Sequence, residues 1–158
     1  MSLAKIRQRP MRLGSKDKSD VRTQFGAICW RRHKDDVQIA LITSRRTRRW
    51  VIPKGWPVDG ATPAEAAARE AYEEAGIEGP VSDVCLGIYS YSKIFEDTES
   101  LPCVVAVFPV KVKKVLRDWP ERRERKRKWV TPRKAAAMVD DPELRRLLRE
   151  FDPRTLPR

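Results

Sequence analysis

Residues 50–77 read WVIPKGWPVDGATPAEAAAREAYEEAGI, and this stretch decides the fold expected for the chain. It begins with a short apolar run, passes through a loop containing proline and glycine, and ends in a helix-forming segment. Thr62 suits the N-cap, Pro63 the first helical position and Glu65 a capping box. Gly76 supplies the residue that commonly ends a helix in the left-handed conformation. The stretch therefore predicts a strand, a loop and a helix.

Small residues and carboxylates occupy separate faces of the predicted helix. One face, able to pack closely on a sheet, carries four alanines at helical spacing: Ala64, Ala68, Ala71 and Ala75. Glu70 and Glu74 project together from another face, with Glu73 at its edge. These like charges repel each other, and Arg69 is placed to pair with Glu65 or Glu73. The pattern favours Mg2+ or Mn2+ bound by carboxylate oxygens, and a solvated charged face is the alternative.

The spacing of these residues resembles the Nudix box, G-x5-E-x7-R-E-U-x-E-E-x-G-U, where U is an apolar residue. The matching positions are Gly55, Arg69, Glu70, Glu73, Glu74, Gly76 and Ile77. The first glutamate of the pattern falls at residue 61, which is alanine, and Asp59 or Glu65 is a candidate to replace its structural role. The resemblance implies the α/β class, with an α/β/α sandwich around a mixed sheet. It also implies hydrolysis of a pyrophosphate bond with Mg2+, or alternatively Mn2+, as the cofactor.

Segments outside the box are similar to the diphosphoinositol polyphosphate phosphohydrolase branch of that family. They are GAICW at 26–30, SRR at 44–46, RWVIPKG at 49–55, LGIY at 86–89, RDWPE at 117–121 and RKRKW at 125–129. The branch acts on diphosphoinositol polyphosphates and diadenosine polyphosphates. Its inositol enzymes have a more glycine-rich loop, whereas Pro53-Lys54-Gly55 is similar to the loop of dinucleoside polyphosphate hydrolases. Both substrate classes therefore stay open.

The resemblance and the chemistry of phosphoanhydrides assign roles to individual residues. The Gly55 carbonyl and three carboxylates would hold the metal ions: Glu70, Glu73 and Glu74. Glu70, or an acidic residue outside the box, would accept the proton of the attacking water, and Arg69 would orient a glutamate. Candidates for binding the substrate phosphates are Arg22, Arg45, Arg46, Lys54 and Arg125. The acidic segment with Glu96, Asp97 and Glu99 is interpreted as a turn, with an extra ligand as the alternative.

The length and the apolar pattern predict one domain. The 158 residues divide into a flexible basic arm at 1–20, a single Nudix hydrolase domain at 21–152 and a C-terminal tail at 153–158. Apolar runs predict strands at 21–30, 37–43, 84–91 and 102–112, with further helices at 133–139 and from 142 to about 151. The only histidine, His33, falls in a polar connection and is interpreted as a surface turn residue.

The charge predicts a polyanionic partner, since 34 Lys and Arg outnumber 22 Asp and Glu to give a formal net charge of +12. A polyanionic small-molecule substrate is favoured over nucleic acid. Two alternatives are a hydrolase of nucleoside triphosphates or RNA 5′-phosphates, and a non-catalytic basic RNA-binding module on the same scaffold. Charge does not separate them, because all these ligands are polyanions. The sequence specifies no oligomeric state.

The cysteine pattern and the hydropathy predict a cytoplasmic protein without a membrane partner. Cys29, Cys85 and Cys103 lie far apart in apolar contexts, so we expect three reduced, buried thiols. The sequence contains no apolar run of membrane-spanning length, and its first twenty residues lack the apolar core of a signal peptide.

Overall fold

The computed structural model describes residues 8–11, 22–95 and 99–157. In chain order the elements are β1 Thr23–His33, β2 Asp36–Thr43, β3 Trp50–Val51, β4 Lys54–Gly55, α1 Pro63–Ala75, β5 Ile77–Glu78, β6 Gly87–Phe95, β7 Glu99–Lys111, β8 Lys114–Val115, β9 Arg127–Val130, α2 Pro132–Met138 and α3 Pro142–Glu150, followed by a 3-10 turn at Pro153–Thr155. The predicted strands and helices are all present. Glu96 and Asp97 of the predicted acidic turn lie outside the described residues.

Within the described part of the chain, seven strands form one mixed sheet. Its main path runs β3-β2-β1-β7-β6, while β4 pairs with β1 and β9 pairs with β2. β1 and β7 are parallel, and the other pairings of this sheet are antiparallel. A second, two-stranded sheet joins β5 to β8.

Helices cover both faces of the larger sheet. Successive strand residues point to opposite sides, so adjacent apolar residues of one strand pack against different helices. Ala27 packs in one hydrophobic cluster with the alanines of α1. Its neighbour Ile28 packs in another cluster with α2 and α3, which contribute Ala135 and Leu144. The resulting α/β/α sandwich around a mixed sheet confirms the predicted fold class.

β1 and β2 separate near the carboxylate-bearing helix. The last four residues of β1 pair with β2, whereas Phe25 and Gly26 pair with β4. The end of β2 pairs instead with β3 and β9. Gly26 permits this crowded junction, since a Cβ there would lie 3.2 Å from the Pro53 carbonyl oxygen. The segment from β3 to β4 therefore joins the two diverging strands and carries Gly55 to α1.

Part of the predicted N-terminal arm contacts the domain. Gln8 Oε1 accepts a hydrogen bond from the Ala64 N–H, and Met11 forms two backbone hydrogen bonds, with Gly60 and Ala61. Residues 1–7 and 12–20 of that arm lie outside the described residues. In the predicted tail, Leu156 packs against the hydrophobic cluster to which α2 and α3 contribute. The boundaries of arm, domain and tail stay a prediction.

The cysteines require one correction. Cys29 and Cys103 are buried free thiols, as predicted, but Cys85 is exposed, so the expectation of three buried thiols is wrong. Cys85 lies in the irregular segment before β6, where its neighbour Val84 turns into the core and Cys85 faces outward. Within the described residues, no helix has the length and apolar character needed to cross a membrane.

Candidate functional site

α1 begins and ends where the sequence predicts. Thr62 Oγ1 accepts the Glu65 N–H and Glu65 Oε1 accepts the Thr62 N–H, which completes the capping box. Gly76 has φ 66° and donates its N–H to the Tyr72 carbonyl oxygen. A Cβ at Gly76 would also lie 2.6 Å from the Trp119 ring. These fixed ends set the rotation of the helix and hence the directions of its glutamates.

The three glutamates of the box have different surroundings. Glu70 lies directly against the main chain of β4, since a Cβ at Gly55 would be 2.2 Å from Glu70 Cδ. Glu73 Oε1 accepts a hydrogen bond of 3.0 Å from Arg69 Nε, one of the two pairings predicted for Arg69. Glu74 is buried, with 8% of the residue exposed. One helical turn therefore presents one carboxylate to β4, one to an arginine and one to the interior.

Both carboxylate oxygens of Glu74 accept hydrogen bonds. Oε1 accepts the Lys54 N–H at 3.1 Å, and Oε2 accepts Arg125 Nη2 at 3.1 Å. Burial raises the pKa of Glu74, and the positive charges of Arg125 and Lys54 oppose that rise. Glu74 thereby joins α1 to the strand residue that precedes Gly55.

Arg125, which was predicted to bind phosphate, has a largely buried side chain. Its side chain is 7% exposed. Besides Glu74, the guanidinium binds Glu121 Oε1 at 3.0 Å and the Thr43 carbonyl oxygen at 3.1 Å. The prediction assumed a strand-like alternation from Arg125 onward, but residues 121–124 form turns and β9 begins only at Arg127. The guanidinium therefore turns inward and is bound by protein acceptors.

The other phosphate-binding candidates are not all placed together. Arg45 lies 3.8 Å from Glu121 and 3.7 Å from Glu124, beside the Glu74 network. Lys54 Nζ lies 4.8 Å from the centroid of the Tyr91 ring. Arg22 is exposed immediately before β1, and Arg46 is exposed in the turn after β2.

Two residues that support α1 were missed by the sequence analysis. Arg127 Nη1 donates to the Ala75 carbonyl oxygen at 2.7 Å, which satisfies the C-terminal end of the helix. Its guanidinium lies 4.2 Å from the Trp119 ring centroid, and Trp119 Nε1 donates to the Glu74 carbonyl oxygen at 3.1 Å. The sequence signals were the RDWPE segment at 117–121, which contains Trp119, and the basic run before Trp129. Which of its residues turns inward depends on the register of β9 with β2.

The residue types at α1 and β4 fit a hard divalent cation, which prefers oxygen ligands. The contact between Glu70 and Gly55 leaves no room for a side chain at Gly55 and brings a carboxylate to a main-chain segment. Among the described residues, however, no three acidic, histidine or cysteine side chains converge closely enough to hold a metal ion. Glu73 is held by Arg69 and Glu74 by Arg125. Joint binding by all three glutamates requires side-chain movement.

Comparison with known proteins identifies the family to which this fold belongs. A model of the NUDIX domain matches residues 21–151, so the chain belongs to the Nudix family. It is 36% identical over 118 residues to Nudix hydrolase 12, mitochondrial, of Arabidopsis thaliana, covering 73% of this chain and 58% of that protein. It is 29% identical over 123 residues to diphosphoinositol polyphosphate phosphohydrolase 3-alpha of Mus musculus, covering 77% and 71% of the two chains.

A solved structure supports the fold alone. The Ap4A hydrolase of C. elegans superimposes with a TM-score of 0.61 at 24% identity, covering 83% of this chain and 96% of that one. The chain spans 58%, 61% and 64% of the lengths of three similar Arabidopsis relatives.

These comparisons confirm the predicted membership of the Nudix family, and diphosphoinositol polyphosphate phosphohydrolases are among the relatives. Nudix hydrolases generally use divalent metal ions. Three Arabidopsis relatives are named as mitochondrial, and the cytoplasmic location stays a prediction for this chain.

Proposed function

We propose that this chain is a Mg2+-dependent hydrolase of a pyrophosphate bond in a polyanionic small molecule. The observation that carries the proposal is the packing of Glu70 against Gly55, next to the bond between Glu74 and the Lys54 N–H. A diphosphoinositol polyphosphate is one substrate class, supported by the name of the mouse relative. A diadenosine polyphosphate is the other, supported by the Pro53-Lys54-Gly55 loop.

Glu70, Glu73, Glu74 and the Gly55 carbonyl are the groups that we assign to the metal. When bound, the metal neutralises charge on the phosphates and lowers the pKa of water. Glu70 accepts a proton from the attacking water. The water oxygen forms a bond to phosphorus, and the bond between phosphorus and the bridging oxygen breaks. Arg69 orients Glu73 through the observed ion pair, and Glu74 fixes the Lys54 peptide. Arg22, Arg45, Arg46 and Lys54 are the proposed phosphate ligands.

The loop that lacks the first glutamate of the box has other support. Met11 donates its N–H to the Ala61 carbonyl oxygen at 2.8 Å and accepts the Gly60 N–H at 2.9 Å. Glu65 is engaged with Thr62 in the capping box. These bonds hold the loop and the helix start without a carboxylate at residue 61.

Phosphate release from a substrate panel tests the proposal. The panel contains a diphosphoinositol polyphosphate, diadenosine polyphosphates, a nucleoside triphosphate and triphosphorylated RNA, each with Mg2+, with Mn2+ and with EDTA. We expect turnover of one of the first two classes, lost in EDTA. Preference for the triphosphate or the RNA would replace our substrate class. No turnover of any member, with tight RNA binding, would favour the non-catalytic binding module.

Glu74→Gln tests the metal assignment. We expect the Mg2+-dependent rate to fall about 100-fold or more, because metal stabilisation of transition-state charge amounts to several kcal/mol. The rate is measured beside a thermal melt, since Glu74 is buried and also holds Lys54 and Arg125. Glu78→Gln, an exposed glutamate of β5, is the charge-matched control and should keep the wild-type rate. Near-normal activity of folded Glu74→Gln would refute the assignment.

A further inference from the structure

A cation of the protein occupies one side of the Glu74 carboxylate. Arg125 Nη2 lies 3.1 Å from Glu74 Oε2 and 3.0 Å from Glu121 Oε1. One nitrogen therefore bridges two carboxylates, as a bound cation would. The exposed fractions of the three side chains are 7% for Arg125, 11% for Glu74 and 19% for Glu121. This charge cluster is largely removed from water. Electrostatic interactions within it are therefore stronger than they would be in water.

The guanidinium is fixed from several directions. Its Nη1 donates to the Thr43 carbonyl oxygen at 3.1 Å, and its Nε donates to Glu121 Oε1 at 3.0 Å. Two further bonds join Thr43 to Lys126, which pins the backbone next to Arg125. The Glu121 N–H donates to the Glu73 carbonyl oxygen at 3.0 Å, which attaches the same segment to α1. Arg125 is thus built into the interior beside the helix.

We propose that Arg125 takes the place of a divalent ion between Glu74 and Glu121. It thereby confines metal binding by Glu74 to the Oε1 side, toward Lys54 and Gly55. This inference rests on the proposed function, and it assigns a positioning role to Arg125 and Glu121, neither of which belongs to the Nudix box. A guanidinium stays charged at any physiological pH, so it does not leave by deprotonation. Its fixed positive charge repels a second cation from Oε2.

Titration with Mn2+ in the absence of substrate tests the inference, with free Mn2+ measured by electron paramagnetic resonance. We expect Arg125→Gln to bind Mn2+ about tenfold more tightly than the wild type, because the cation between the two carboxylates is removed. Adding Glu121→Gln to this variant should remove the gain. Arg125→Lys keeps the charge and should stay near the wild type.

Arg122→Gln is the matched control for loss of one positive charge. Arg122 lies in the same segment, is exposed and is 3.9 Å from Asp118. We expect its Mn2+ affinity to change less than about twofold, since solvent screens exposed charges. Unchanged or weaker Mn2+ binding by Arg125→Gln would overturn the inference.

A second pair of variants decides the question if circular dichroism shows that Arg125→Gln is unfolded. Glu121→Gln removes one of the two carboxylates that pair with Arg125. The positive charge of Arg125 then repels Mn2+ more strongly, so Mn2+ affinity should fall about threefold or more. Glu124→Gln removes an exposed carboxylate of the same segment, which pairs with Arg45, and should have little effect. Unchanged or tighter binding by Glu121→Gln would overturn the inference.

The titration also separates this inference from the proposed function. Failure of Mn2+ to bind the wild type and every variant would overturn the inference, whereas the proposed function is overturned only if the substrate panel shows no metal-dependent turnover. Binding by the wild type without a gain in Arg125→Gln would overturn only the role of Arg125.

Discussion

At Gly55, the absence of a side chain lets a carboxylate lie against the main chain. The sequence identified this glycine by its place in a motif. The structure gives the steric reason, since a Cβ at this position would lie 2.2 Å from Glu70 Cδ. The burial of Arg125 was not predicted, because the direction of its side chain depends on turns at residues 121–124 that have no strand periodicity. The sequence therefore predicted contacts that are local to the motif, such as the pairing of Arg69 with Glu73.

Gly55→Ala should impair the site more than the fold. The added Cβ forces Glu70 away from the β4 main chain, and a misplacement of about 1 Å in an active site costs about 100-fold in rate. Gly87→Ala is a matched control, because its Cβ would lie 2.3 Å from Leu147 Cδ2, on the other face of the sheet. Hydrolysis rates and urea unfolding of both variants provide the measurement. Equal rates in the two variants would contradict the role of Gly55.

At the scale of elements, local sequence signals predicted the positions of the helices better than those of the short strands. The capping box and Gly76 gave both ends of α1, because caps and left-handed turns depend on residues close in sequence. The two-residue strands β5 and β8 were not predicted, since they form only when Ile77 meets Val115. Contacts between elements likewise depend on side chains that sequence spacing does not bring together, such as Glu143 of α3 and Ser90 of β6.

Glu143 should make stability depend on pH. Its Oε1 accepts the Ser90 N–H at 3.0 Å and the Ser90 hydroxyl at 2.8 Å, and these bonds lower the pKa of Glu143 from its ordinary value. Because the folded-state pKa is lowered, the stabilisation is present above the unfolded-state pKa and is lost as pH falls through the folded-state value. We therefore expect Glu143→Gln to destabilise the protein at pH 7 and to differ less from the wild type in acid.

Urea unfolding midpoints at neutral and acid pH measure this effect. Ser90→Ala removes only the hydroxyl donor and should give an intermediate pH dependence. A constant difference between Glu143→Gln and the wild type across the acid range would show that the bonds to Ser90 do not stabilise the carboxylate form.

At the scale of the whole molecule, the two packed faces of the sheet determine which reactive groups meet solvent. Burial of Cys29 raises the pKa of its thiol to about 12, and Cys103 is also buried. Cys85 alone among the three cysteines is exposed. The hydropathy around each cysteine did not distinguish them, because burial follows from the packing of distant segments.

Thiol labelling of the native protein should therefore modify one cysteine rapidly. We expect Cys85 to react first, since it is accessible, while Cys29 and Cys103 react only on unfolding. Mass spectrometry of the labelled protein, with and without urea, gives the site and the rate. Cys85→Ser should abolish the rapid phase. Rapid labelling of a second cysteine in the folded protein would contradict the packing described.

The sequence by itself determined the Nudix family, the sandwich fold, the limits of α1 and the set of carboxylates at one of its turns. These follow from helix caps, hydrophobic period and motif spacing, all of which are short-range. Only the tertiary structure decided that Glu74 is buried with Arg125 and that Arg127 supports the end of the helix. Those contacts join residues about fifty positions apart, and their formation depends on the path of the chain between α1 and β9.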